Sequence, residues 1–224
     1  MTRGKRAAPP RPNGLPAAVL FDWDGTIVDT LPLIYRANVT VLGELGITMS
    51  RAWFREKYSP DWRRGYRELG VPEHLWARTS TRWAEEMGRM RPKPLPWAKG
   101  ALRKLQRRGV RLGLVTASTR GVVEPNLERL GMTGLFEVAW YADDVAHGKP
   151  HPEALLCALD ELGLAARDTV YVGDTTADLE MARAAGAPFV AVGSTTTEGA
   201  FRAAGVDRVW RGVGAWADHL LGVR

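Results

Sequence analysis

AAVLFDWDGT, residues 17–26, is where the fold and the chemistry of this chain meet. Five apolar residues run together and then stop at two aspartates separated by one residue, with a glycine behind them. Like charges held that closely destabilise each other unless a countercharge accompanies them. A strand that ends this way therefore asks what holds Asp22 and Asp24 in place.

Outward from that run the chain alternates. Strand-like segments recur at VRLGLVT (110–116), FEVAWY (136–141), TVYVG (169–173), PFVAV (188–192) and DRVW (207–210). Amphipathic stretches lie between them, among them ALRKLQRRG, GVVEPNLERLG, PEALLCALDELG and ADLEMARAAG, several closed by the glycine that commonly stops a helix. Such alternation predicts an α/β fold, a doubly wound parallel sheet covered by helices on both faces. In open parallel sheets the site lies beyond the carboxyl ends of the strands.

One segment breaks the rhythm. Residues 31–96 read as helical throughout and close on the Pro-rich RPKPLP. They hold four of the nine tryptophans, enough for a small core of their own, and twelve basic against seven acidic residues. We expect a helical cap over 31–96, inserted into an α/β core made of 17–30 and 97–224. Residues 1–16, with four basic residues and no acidic ones, read as a flexible tail.

The formal charge of +6 thus resides in the tail and the insertion, so a continuous nucleic-acid-binding stripe is not indicated. A single cysteine, Cys157, rules out an internal disulfide. No apolar run approaches the roughly 18–20 residues of a membrane span, and the N-terminal stretch lacks a signal-peptide core. The expectation is a cytoplasmic protein, monomer or homodimer, without membrane partners.

The residues at the strand ends are few: Asp22, Asp24 and Thr26; then Thr116, Ala117 and Ser118; then Lys149; then Asp174 and Asp178. Clustered carboxylates without histidine or cysteine point to a hard cation, magnesium. A carboxylate can attack phosphorus, and a lysine, a hydroxyl and free backbone amides can hold the transferring phosphoryl group. Gly25 permits the sharp turn that presents those amides.

These segments resemble the four motifs of the haloacid dehalogenase superfamily, in its helical-cap, phosphoglycolate phosphatase-like branch. DWDGT matches its first motif, Thr116 its second, Lys149 in GKPHPE its third and GDTTAD its fourth. The resemblance implies a Rossmann-like core and a magnesium-dependent phosphatase that acts on a small phosphorylated substrate through an aspartyl-phosphate. It implies Asp22 as nucleophile and metal ligand, and Asp24 as general acid and base with a carbonyl on the metal. Asp174 would be a further ligand, with Asp178 beside it, orienting metal-bound water or Lys149. Thr116, Ala117 and Lys149 would hold phosphate. Trp23, together with Arg63 and Arg64 of the cap, would contact substrate. The chain departs from that branch in its second motif, where VTAS replaces a VTNK-like run, a difference that bears on substrate.

A β-phosphoglucomutase-like mutase shares all these motifs, and a regulatory or binding protein on the same fold is the alternative of another class. Asp29 is expected in a turn or cap role, and Asp174 could serve as a plain helix cap. Asp143 and Asp144 are expected to be solvated, and His147 and His151 to face solvent. The cap tryptophans are expected in its core.

Overall fold

The structure is a computed structural model and describes residues 14–193 and 195–223. The tail expected over 1–16 falls outside the described residues except for its last three. In chain order the strands are β1 (Ala18–Phe21), β2 (Val28–Asp29), β3 (Lys93–Pro94), β4 (Arg111–Val115), β5 (Val138–Trp140), β6 (Thr169–Gly173), β7 (Phe189–Val192) and β8 (Val209–Trp210). The helices are α1 (Leu31–Gly43), α2 (Arg51–Lys57), α3 (Trp62–Glu68), α4 (Trp76–Arg89), α5 (Ala98–Arg107), α6 (Arg120–Arg129), α7 (Glu153–Leu162), α8 (Thr176–Ala184), α9 (Glu198–Ala203) and α10 (Val213–Leu220).

Among the described residues six strands form one sheet in the order β5-β4-β1-β6-β7-β8, and every neighbouring pair is parallel. β1 lies at the point where the winding reverses, between β4 and β6, with Phe21 opposite Leu114 and Val172. All four of its residues are buried, because both faces of a doubly wound sheet are covered and neither offers a solvated side. Val19 and Phe21 pack with α5, α6 and α10 through residues such as Leu102, Val123 and Trp216. Ala18 and Leu20 point to the other face and pack with Leu155 and Leu159 of α7 and Met181 of α8. Among the described residues no helix is long and apolar enough to cross a membrane.

The helical insertion has its own core, in which Ile34, Leu42, Phe54, Tyr66 and Met87 meet, with Val122 of α6 beneath them. Its stem is something the sequence reading lacked: β2 and β3 pair antiparallel, Val28 with Pro94 and Asp29 with Lys93. Two residues carry no readable alternation. Asp29 accordingly sits exposed on a strand, and Thr30 holds the N-terminal position of α1.

Where the chain returns to the core, Trp97 takes a left-handed backbone conformation (φ 64°) just before α5. α10 presses Gly214 against it, and a Cβ there would lie 2.6 Å from the Trp97 Cβ. Gly214→Ala is expected to destabilise the chain by about 1–3 kcal/mol through overpacking, seen as a fall of several degrees in the melting midpoint. An unchanged midpoint would show that this helix pair repacks freely.

Candidate active site

The carboxyl ends of β1, β4 and β6 lie side by side, and each delivers part of one buried cluster. Asp22 follows β1, Thr116 follows β4 and Asp174 follows β6. Asp22, Thr116, Lys149, Asp174 and Asp178 are all buried, with Asp174 and Asp178 at 0 % exposure. After Asp24 the chain turns at Gly25 (φ 74°), whose amide donates to the Val28 carbonyl at 2.9 Å. That conformation is accessible at little strain only to glycine. The turn leaves Asp22 facing inward and carries Asp24 to the side.

Lys149 is the centre of the cluster. Its Nζ donates to Asp22 Oδ1 at 2.5 Å and to Asp178 Oδ1 at 2.8 Å. Asp178 is fixed from below by the first turn of α8: its Oδ2 accepts from the Thr175 amide at 3.1 Å and the Thr175 hydroxyl at 2.6 Å. The Thr175 hydroxyl in turn accepts the Asp178 amide, closing a reciprocal cap. The Tyr171 hydroxyl, between the Val115 carbonyl (3.0 Å) and Asp178 Oδ1 (3.1 Å), completes the support. Gly173 makes this packing possible, since a Cβ there would lie 2.6 Å from Asp178 Cβ.

Asp174 does not cap α8; Thr175 does. The Asp174 carboxylate instead accepts from Thr26 Oγ1 at 3.0 Å and from the Thr195 hydroxyl. The Asp24 carboxylate stands apart, accepting from Ser118 Oγ at 2.6 Å. Thr116 Oγ1 accepts the Ser118 amide at 3.0 Å, which shapes the loop after β4.

Charge within the cluster is unbalanced. Carboxylate oxygens of Asp22, Asp174 and Asp178 lie within 4.8 Å of one another, and Lys149 is the cation bonded among them. Burial, countered by Lys149 but reinforced by the neighbouring acids, pushes Asp22 well above the usual carboxylate range. Burial and then Asp178 push Asp174 up to about 7. Burial raises Asp24 as well, against the Ser118 hydrogen bond that favours its ionised form. Burial disfavours the Lys149 proton, but Asp178 and Asp22 outweigh it and raise its affinity. Excess buried negative charge on an all-oxygen donor set fits a divalent hard cation.

Above Asp24 a cavity of about 150 Å³ opens between core and cap, floored by Ala117, Ser118 and Thr119. Here the structure corrects the sequence reading. Trp23 is 1 % exposed and packed in the main core, so its side chain cannot reach a substrate. Arg63 stacks over the Trp62 ring and Arg64 bonds Glu68, both exposed and neither on the cavity wall. The cavity's cation is Lys57, at the end of α2. Trp53, Trp62 and Trp83 pack against the cap core, as expected, and also line the cavity. Helical spacing alone cannot say which face of a short helix a second domain will cover.

Asp143 and Asp144 hold the Arg120 amide and guanidinium, so their role is structural. His147 and His151 are exposed as expected, with His147 Nδ1 2.9 Å from Glu153 Oε2. Thr195 and Tyr171 were missed. Thr195 follows β7, so the strand-end rule reaches it, whereas Tyr171 reads as an ordinary buried strand residue. Tyr58, which roofs the cavity from the cap, is held far from ionisation by burial and by the acids below it, Asp24 first.

Known proteins resemble this chain in sequence and fold. A family model described as haloacid dehalogenase-like hydrolase matches residues 19–192. The phosphoglycolate phosphatase of Yersinia pestis is 31 % identical over 192 residues, covering 77 % of this chain and 78 % of that protein. The Escherichia coli (strain K12) phosphoglycolate phosphatase is 30 % identical over 203 residues, covering 77 % and 79 %. A haloacid dehalogenase-like hydrolase from Bacteroides fragilis superposes with a TM-score of 0.83 at 26 % identity, over 88 % of this chain and 98 % of that one.

Removing the shared cation tests the electrostatics directly. Lys149→Met leaves Asp22 and Asp178 facing each other and should cost about 3–5 kcal/mol near neutral pH. Without the lysine the folded-state Asp22 carboxyl rises further above its unfolded value. The penalty is therefore absent while Asp22 holds its proton in both forms and grows as pH climbs through the wild-type folded value, which lies well above the ordinary carboxylate near 4. The gap in melting midpoint between wild type and variant should be wider at pH 8 than at pH 5; equal gaps would refute the role given to Lys149.

Proposed function

The chain belongs to the haloacid dehalogenase-like hydrolase family, and on that premise we propose that it is a magnesium-dependent phosphatase of small phosphomonoesters, working through an aspartyl-phosphate on Asp22. The observation that carries this reading is the division of labour between two aspartates two residues apart. Asp22 is paired with Lys149 in the buried cluster, while Asp24 is held separately by Ser118 beside the open cavity. A hydrolase that displaces halide from carbon needs no second acid, whereas release of an alcohol from phosphorus does.

In the first half-reaction an Asp22 oxygen bonds to phosphorus as the bond from phosphorus to the substrate oxygen breaks. Asp24 gives its proton to that departing oxygen. In the second half-reaction Asp24, now a carboxylate, takes a proton from water as the water oxygen attacks phosphorus. The Asp22–phosphorus bond breaks, phosphate leaves, and Asp22 and Asp24 return to their starting states. A carboxyl raised by burial is suited to hold its proton near neutral pH for the first step. Thr116, the Ala117 amide and Lys149 hold the phosphoryl oxygens, and Asp178 positions Lys149 for that task. Asp22, Asp174 and the Asp24 carbonyl would hold magnesium, which when bound neutralises charge on Asp22 and on the phosphoryl group.

Asp22→Asn should lower phosphate release by about three orders of magnitude or more, with the fold kept by circular dichroism; substantial residual activity would remove Asp22 as nucleophile. Isomerisation of a sugar monophosphate without release of phosphate would place the enzyme among mutases instead. Magnesium at a hundred times its dissociation constant should stabilise the wild type by about 2.7 kcal/mol, and equal melting midpoints with and without magnesium would count against the metal site.

A further inference from the structure

We infer that the alcohol released at this site carries an aromatic ring, rather than being a short hydroxy acid such as glycolate. The inference rests on the phosphatase reading above and concerns the part of the substrate that reading leaves open. The cavity between core and cap begins at Asp24, the group assigned to protonate the departing oxygen, so whatever fills it is the leaving group. Its wall is built by Trp53, Trp62, Trp83, Phe54, Tyr58 and Tyr66. An apolar cavity of about 150 Å³ holds one benzene-sized ring, and this cavity has about that volume.

The wall is also braced. Trp62 meets Tyr66 edge-on at 5.1 Å, and Trp76, behind both, lies 6.0 Å from Trp62 and 6.4 Å from Tyr66. Phe54 and Tyr58 are 4.9 Å apart. The Trp76 indole is tied to the Val71 carbonyl at 2.8 Å. Rings held by other rings present fixed faces and edges, which a ring-bearing ligand can meet without reordering the site.

Charge argues the same way. The cap carries twelve basic residues, yet Lys57 is the cation on the cavity wall, exposed and 3.4 Å from Glu56. Arg82 is committed to Glu44 and Glu86, and Arg64 to Glu68. Beside Lys57 the remaining polar lining, with Asn38, Ser59, Ser80, Ser118 and Thr119, brings no positive charge, so a glycolate carboxylate would have one half-committed lysine as its countercharge. A ring loses little hydration and gains contact on several sides.

The test compares phosphate release from 2-phenylethyl phosphate, ethyl phosphate and phosphoglycolate by the full chain with magnesium. All three release a primary alkoxide, so differences read the cavity more than the bond broken. kcat/KM for the phenylethyl ester should exceed both others by at least tenfold. Phosphoglycolate matching or exceeding it would overturn this inference and leave the phosphatase reading standing. Release from none of the three would overturn both. Trp83→Leu, which keeps an apolar wall but removes the ring, should shrink the phenylethyl-to-phosphoglycolate ratio by about tenfold, chiefly through KM. A ratio unchanged in that variant would overturn the inference.

Discussion

Most of this molecule's architecture is arranged around one buried ammonium group. Lys149 Nζ bonds both Asp22 and Asp178, with all three side chains nearly inaccessible to solvent. Burying three charges is unfavourable unless the remaining lone pairs are met, and the fold meets them from several directions. β1 supplies Asp22, the first turn of α8 supplies Asp178 already capped by Thr175, and Tyr171 props the pair from β6. Gly173 is small because nothing larger fits beside Asp178. Strand order, helix cap and a single glycine are thus parts of one electrostatic requirement.

The same cluster leaves Asp174 under-compensated. Two threonine hydroxyls, from Thr26 and Thr195, orient its carboxylate but bring no charge. Burial and the neighbouring Asp178 raise its affinity for a proton to about 7. The parallel sheet makes this concentration of acid possible, since its central strands end together at the point where the winding reverses. The apolar packing on both faces holds those ends in register while contributing nothing to the chemistry.

The cap works by different physics. Four of its twelve basic residues, Lys57, Arg64, Arg82 and Arg89, pair with acids of the cap itself, as in Arg64 with Glu68, where solvent exposure makes the pair weak. What it turns toward the core is aromatic, and it is joined to the core by a two-residue stem, β2 with β3. Net charge in a segment therefore says little about which side chains meet the substrate.

The α/β class, all six sheet strands, the helical insertion and the candidate site residues Asp22, Asp24, Thr116, Lys149, Asp174 and Asp178 were legible in the sequence. Each is written in local patterns: apolar runs, glycine stops, and polar residues placed just past a strand. The stem strands were not legible, because two residues have no periodicity. Nor was Tyr171, whose role comes from Asp178 seven residues on, whereas Thr195, just past β7, was within reach of the strand-end rule. Arg63 and Arg64 are expected at the site on charge, and the structure leaves both off the cavity wall; Trp53, Trp62 and Trp83 pack against the cap core as expected and line the cavity as well. Local patterning determines which elements form and where reactive groups sit on them. Which face of each cap helix looks into the cavity depends on how two separately packed cores meet, and only tertiary contact decides that.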